Sequence, residues 1–173
     1  MAERIRIRER ERESEASDSY EMILYQKRKF IEQQMTGKVV IRDSDREWEA
    51  CKQGRLKYFL QPFSFADHAL RDWFVFVNDI RKHSGKHKHQ GGSVVIYVLE
   101  GKGYSVVDGV RYDWEEGDVI LLPHKPGGTE HQHFNLDPGK GCKWIAFIYL
   151  PYHNMLASLT TQIELSPEYR PKL

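Results

Sequence analysis

From about residue 57 the chain breaks into short β-type runs, each closed by a turn signal: LKYFLQ, DWFVFVND, SVVIYVLEG, GYSVVDG, VRYDWE, DVILLP, HQHFN and CKWIAFIYL. Gly101, Gly103, Asp108-Gly109, Glu116-Gly117 and Pro138-Gly139 punctuate them. Such residues allow the positive φ and close approach that tight turns need. Many short strands at close spacing make a sandwich or a small barrel. Strands do not alternate with helices here, so a parallel α/β sheet is not expected. The expected architecture is all-β.

The rest of the chain reads differently. Residues 1–17 are dominated by Arg and Glu with almost nothing to bury, a charged arm that is either disordered or a solvated helix. Residues 18–56 form an expected α-helical extension. Asp18 and Glu21 have capping-box spacing, Met22, Leu24, Tyr25, Phe30, Ile31 and Met35 supply apolar faces, and Gly37 stops the run. A second short helix is expected from Ser44, with Glu47 three positions later and Trp48 and Cys51 turned inward. The barrel is expected over 57–155 and a C-terminal tail over 156–173.

A chain of 173 residues suits one domain with an extension. Its 26 Lys and Arg nearly balance 25 Asp and Glu, so no net field draws it to nucleic acid or to a membrane surface. Cys51 and Cys142 are too few for a disulfide framework and read as free thiols in a reducing compartment. No apolar run has the length of a membrane span, and the N-terminus lacks the apolar segment of a signal peptide. The expected setting is cytoplasmic.

The stretch KHSGKHKHQGG places His87 and His89 at the lip of an apolar run. On a strand, residues i and i+2 share one face, roughly 7 Å apart, so the two imidazoles can converge on one ion. Imidazole suits Zn, Fe, Ni and Cu. A further ligand comes from elsewhere, and PGGTEHQHFN repeats the H-x-H spacing at His131 and His133. Two such pairs on strands of one all-β unit point to a bound metal. His83 and His124 lie in expected loops, at the surface or a pocket rim. His68 and His153 are expected to be structural.

Together these residues resemble the cupins. The first cupin motif is H-x-H, three or four residues, glutamate, six residues and glycine; HKHQGGSVVIYVLEG follows it from His87 to Gly101. The second is followed by GDVILLP, from Gly117 to Pro123, and then by HQHFN, in which His131 keeps its offset from Asn135. The glutamate position falls on Ser93 or Val94, the glycine expected six before His87 is Arg81, and HKPGGTE lengthens the second motif. The resemblance implies a cupin double-stranded β-helix, a jelly-roll barrel, after the helical extension. By analogy the metal ligands are His87, His89 and His131, with His133 the competing candidate.

Three neutral imidazoles leave the full charge on the ion and open positions around it, unlike structural zinc with its four protein ligands; a zinc that activates water is the physical alternative. Within the cupins the pattern is similar to the gentisate, salicylate and 1-hydroxy-2-naphthoate dioxygenases, which also replace the glutamate and carry H-x-H-x-N. What this implies is an Fe(II) dioxygenase cleaving a hydroxylated aromatic acid or related phenolic with O2, with Mn, Ni or Zn as other metals. Two further readings stand beside it: a non-redox cupin lyase or isomerase, and a cupin that binds a small molecule without turnover. Val94, Ile96 and Val98 share one parity and would line the cavity. The strand over 142–150 offers either Trp144, Ala146 and Ile148 or Ile145, Phe147 and Tyr149. Gln90, Gln132 and Arg81 are candidates to bind a carboxylate or orient a ligand. The expected partners are a small-molecule substrate and O2, with no nucleic acid or membrane, in a homodimer or higher homo-oligomer.

Overall fold

The computed structural model describes residues 18–90, 94–137, 139–155 and 160–171. The charged arm over 1–17, Ser93, Pro138 and the start of the expected tail lie outside them. The described residues form two compact units, 18–40 with 66–71, and 41–65 with the chain from 72 onward. None of the described helices is long and apolar enough to cross a membrane.

The first unit is built on helix α1, Ser19–Thr36. Asp18 caps it, its carboxylate accepting from the N–H groups of Tyr20 at 2.9 Å and Glu21 at 3.0 Å, two of the donors that a helix start leaves unpaired. Gly37 ends it. A Cβ there would lie 2.6 Å from the His68 carbonyl carbon, so the close approach of segment 66–71 requires glycine. That segment is tied by Lys38 N–H to Asp67 O at 2.8 Å and by Gln33 Nε2 to His68 O at 2.8 Å.

The second unit begins earlier than residue 57, because the short helix expected from Ser44 does not form. Asp43–Asp45 is a single 3-10 turn, and Trp48–Cys51 is strand β1. It pairs antiparallel with β2, Gly54–Leu60, with Cys51 opposite Gly54. Trp48 and Cys51 have the i, i+3 spacing of a helix face, but four residues are too few to separate that period from a strand when a hairpin partner follows.

The remaining strands are β3 (Trp73–Ile80), β4 (Lys86–His89), β5 (Val94–Glu100), β6 (Lys102–Val107), β7 (Val110–Glu115), β8 (Val119–Leu122), β9 (Thr129–Asn135) and β10 (Cys142–Tyr149). Helix α2, Leu150–Met155, and strand β11, Thr161–Glu164, follow. The expected tail thus supplies an edge strand; its polar TQIE has no alternation to reveal it, and pairing with β4 makes it.

Two antiparallel sheets result, ordered β1-β2-β3-β10-β5-β8 and β11-β4-β9-β6-β7. The chain crosses between them at β3–β4, β4–β5, β5–β6, β7–β8, β8–β9, β9–β10 and β10–β11, the jelly-roll pattern. Their inner faces share one core, to which β5 gives Val94, Ile96 and Val98, β10 gives Trp144, Ala146 and Ile148, and the second sheet gives Val107 and Trp114. Strand β5 shows the alternation plainly: Ile96 is 1% exposed and its neighbour Tyr97 42%. Asp108 and Gly109, at φ 51° and 83°, turn the β6–β7 hairpin between paired Val107 and Val110, as a two-residue type I′ turn demands. At Gly103 a Cβ would lie 2.2 Å from Phe134 O and 2.3 Å from the Trp114 ring; only glycine lets β9 and Trp114 close on β6.

Candidate metal centre

Strands β4 and β9 pair so that His87 stands opposite His131 and His89 opposite Thr129. Parity turns His87, His89, His131 and His133 to the inner face. Ring centroids lie 4.2 Å apart for His87 and His131, 4.9 Å for His89 and His131, and 5.6 Å for His87 and His89. One ring nitrogen from each of these three lies within 4.8 Å of the others, a group that could hold one metal ion.

Backbone carbonyls set the rings. His87 Nδ1 meets Gly85 O at 3.3 Å, and His131 Nδ1 meets Thr129 O at 3.2 Å. A carbonyl only accepts, so each Nδ1 carries the proton and each Nε2 lone pair is left for an ion, an arrangement common to metal-binding histidines. Burial lowers the His87 pKa to about 4; His89 lowers it further, and the Gly85 carbonyl opposes. Burial, then the neighbouring imidazoles His87, His133 and His89, hold His131 well below the ordinary range. Both are neutral near pH 7, as ligation requires.

His133 falls outside that group and has its own tether. Its Nδ1 lies 2.7 Å from Ser105 Oγ, which accepts from Trp114 Nε1 at 2.9 Å. With the indole as donor, the Ser105 hydroxyl proton is left for His133 Nδ1, so the network assigns the His133 proton to Nε2. Burial pushes its pKa down to about 3.

A cavity of about 120 Å³ opens beside the rings. Its lining includes all four histidines on one side and Phe76, Val94, Ile96, Ala146 and Ile148 on the other. Trp144 lines it too, so β10 uses its Trp144 parity and turns Phe147 and Tyr149 outward. Three candidates lie elsewhere. Gln132 has the parity opposite to His131 and donates from Nε2 to Ser84 O at 3.0 Å. Gln90 is exposed just beyond β4. Arg81 shares the parity of Asp79, to which it pairs at 3.4 Å, and donates to Lys140 O at 3.1 Å.

The cavity also takes in residues outside the expected site. Asn78 lines it from β3; its parity with Phe74, Phe76 and Ile80 in WFVFVNDI was the available sign. Ser84 lines it and accepts the His133 N–H at 2.9 Å. His153, expected to be structural, lines it from α2 with its ring 6.1 Å from His89. Its approach depends on how α2 follows β10, which no local pattern reveals. Of the loop histidines, His83 bonds Ser84 O at 3.0 Å and packs on Phe134, while His124 packs on Tyr152. Asn135 organises a turn, donating to Arg81 O at 3.0 Å and Asp137 O at 2.8 Å.

Residues 78–148 match the profile of the cupin domain. An uncharacterised protein of Methanocaldococcus jannaschii is 34% identical over 50 residues, which span 29% of this chain and 38% of that protein. Among solved structures, a Streptomyces Pac13 variant with uridine has a TM-score of 0.55 at 12% identity, over 76% of this chain and 95% of that one; Pac13 is a nucleoside dehydratase. Salicylate 1,2-dioxygenase of Pseudoaminobacter salicylatoxidans, with gentisate, has a TM-score of 0.53 at 16% identity, over 80% of this chain and 35% of that one. The polyketide cyclase RemF of Streptomyces resistomycificus has 0.53 at 17% identity, over 76% and 89%. At such identities the likeness is one of fold, and these folds serve different reactions. Residues 78–148 are thus similar to a cupin domain, and they lie in a jelly-roll barrel with a three-histidine cluster in its cavity.

Proposed function

We propose that this protein is an Fe(II)-dependent dioxygenase that opens the ring of a small hydroxylated aromatic acid or related phenolic. The observation that carries the reading is the donor set: His87, His89 and His131 meet without a carboxylate, on one wall of a cavity whose opposite wall is mostly apolar. The residues fit a divalent ion, since two of the three rings keep Nδ1 on backbone carbonyls and hold Nε2 free. A ferrous ion held there would offer open positions at which dioxygen and a chelating substrate anion can meet.

The chain's own residues do the rest. His87, His89 and His131 form a face without acidic groups, so an anionic substrate meets no carboxylate from the ligand set. Val94, Ile96, Ala146 and Ile148 give the cavity an apolar side that excludes water. His133 presents an Nε2–H donor from the same wall as the triad. The volume, about 120 Å³, limits the ligand to no more than a single ring, since a dry cavity of about 150 Å³ binds a ligand the size of benzene. The fold shared with salicylate 1,2-dioxygenase is compatible with this reading and does not carry it.

The test is oxygen uptake by anaerobically Fe(II)-loaded protein against single-ring hydroxybenzoates, hydroxyacetophenones and β-diketones, with His87→Ala as control. Uptake on one class, absent in the variant, supports the dioxygenase. Turnover under nitrogen with zinc would replace it with a lyase or isomerase reading, and binding without product with a non-catalytic one.

A further inference from the structure

The six-stranded sheet meets the cavity with apolar side chains at almost every inward position, and the exceptions lie together. Asn78 on β3 and Trp144 on β10 are register partners in adjacent antiparallel strands. Directly opposed residues of that kind hold their Cβ atoms about 4.5–5.5 Å apart. Asn78 is 2% exposed and Trp144 4%, and both line the cavity. Among the described residues, neither Asn78 Oδ1 nor Trp144 Nε1 has a hydrogen-bonding partner, whereas buried polar atoms in folded proteins are nearly always paired. Gly54 leaves room around the Asn78 oxygen, since a Cβ there would come within 2.8 Å of it.

This pair sits beyond the histidines. Ring centroids step from His131 to His133 over 5.5 Å and from His133 to Trp144 over 5.0 Å. A single-ring ligand anchored at the triad therefore turns its far edge toward Asn78 and Trp144. The indole N–H needs an acceptor and the amide oxygen needs a donor. A hydroxyl group supplies both at one atom; a carboxylate donates nothing, an ammonium accepts nothing, and a methyl does neither. We propose that Asn78 and Trp144 form a subsite for a hydroxyl group that the ligand carries remote from its metal-binding atoms. The proposal rests on the reading above for the ligand's other end, but the subsite can be probed without metal.

The probe is phenol, with toluene as the partner in which a methyl replaces the hydroxyl. Each is titrated into metal-free, nitrogen-15-labelled full-length protein while the tryptophan indole N–H resonances are followed. The Trp144 resonance is assigned by its loss in Trp144→Phe. Phenol is expected to shift it saturably and to bind about tenfold more tightly than toluene, the worth of roughly one net hydrogen bond. In Trp144→Phe and in Asn78→Leu that preference should fall to within about threefold. If Asn78→Leu fails to fold, Trp144→Phe carries the comparison. Phenol that leaves the Trp144 resonance unmoved, or a preference retained in the folded variants, overturns the subsite. So does equal binding of the two probes, the result expected if water serves both groups. A His87→Ala protein that keeps its metal at the triad would break the metal reading, while one that keeps the phenol shift would leave the subsite standing.

Discussion

The two sheets that enclose the cavity obey the same alternation and put opposite chemistry on their inner faces. On the six-stranded sheet, β5 and β10 turn Val94, Ile96, Val98, Ala146 and Ile148 inward, a lining that is stabilised simply by leaving water. On the five-stranded sheet, β4 and β9 use the same inward positions for His87, His89, His131 and His133. Burial opposes protonation of three of them, and each needs a hydrogen bond from the backbone or from Ser105 to be accommodated. Apart from Asn78 and Trp144, the apolar wall is explained by folding alone. The other brings ring nitrogens of His87, His89 and His131 within 4.8 Å of one another, and a ligand explains that better than folding does.

Substitutions in the two walls should therefore separate stability from ligand binding. Ile96→Ala, at a fully buried site of the apolar wall, should cost about 2–5 kcal/mol in urea unfolding while the folded protein keeps one metal per chain. His131→Ala should do the reverse: metal affinity, read by elemental analysis after dialysis, should drop by about a hundredfold or more. If Ile96→Ala abolishes metal and His131→Ala does not, the division of labour is wrong. Ser105→Ala probes the histidine wall without touching the triad. It leaves His133 Nδ1 and Trp114 Nε1 unpaired and should cost about 1–3 kcal/mol, with metal stoichiometry unchanged. Tyr97→Thr, beside Ile96 but on the outer face, should shift stability by no more than about 0.5 kcal/mol. A large loss there would mean that the outer face of the sheet is covered.

Much of this contrast was legible in the sequence, and its gaps have physical causes. The two H-x-H pairs and the alternation of SVVIYVLEG report one face each, because a period of two survives without tertiary context. Strand β10 did not resolve itself, since CKWIAFIY is apolar on both faces; register with Asn78 and Val98 sets which side is inward. His131 and His133 share parity, so only pairing separates them: His131 stands opposite His87, while His133 is tethered to Ser105. Strand β1 was mistaken for a helix and β11 for tail because both are four residues long and owe their state to a partner strand. Asn78 was hidden by its neighbours, an amide in an apolar run, although its parity was there to be read.

The central claim is that His87, His89 and His131 hold one divalent ion between them. The most direct measurement is anomalous diffraction at the metal edge from crystals of protein loaded with Fe(II) under nitrogen or with zinc. The account predicts one peak per chain, about 2.0–2.2 Å from Nε2 of His87, Nε2 of His131 and a ring nitrogen of His89. A chain with no peak at the triad, or with its metal bound elsewhere, would contradict it.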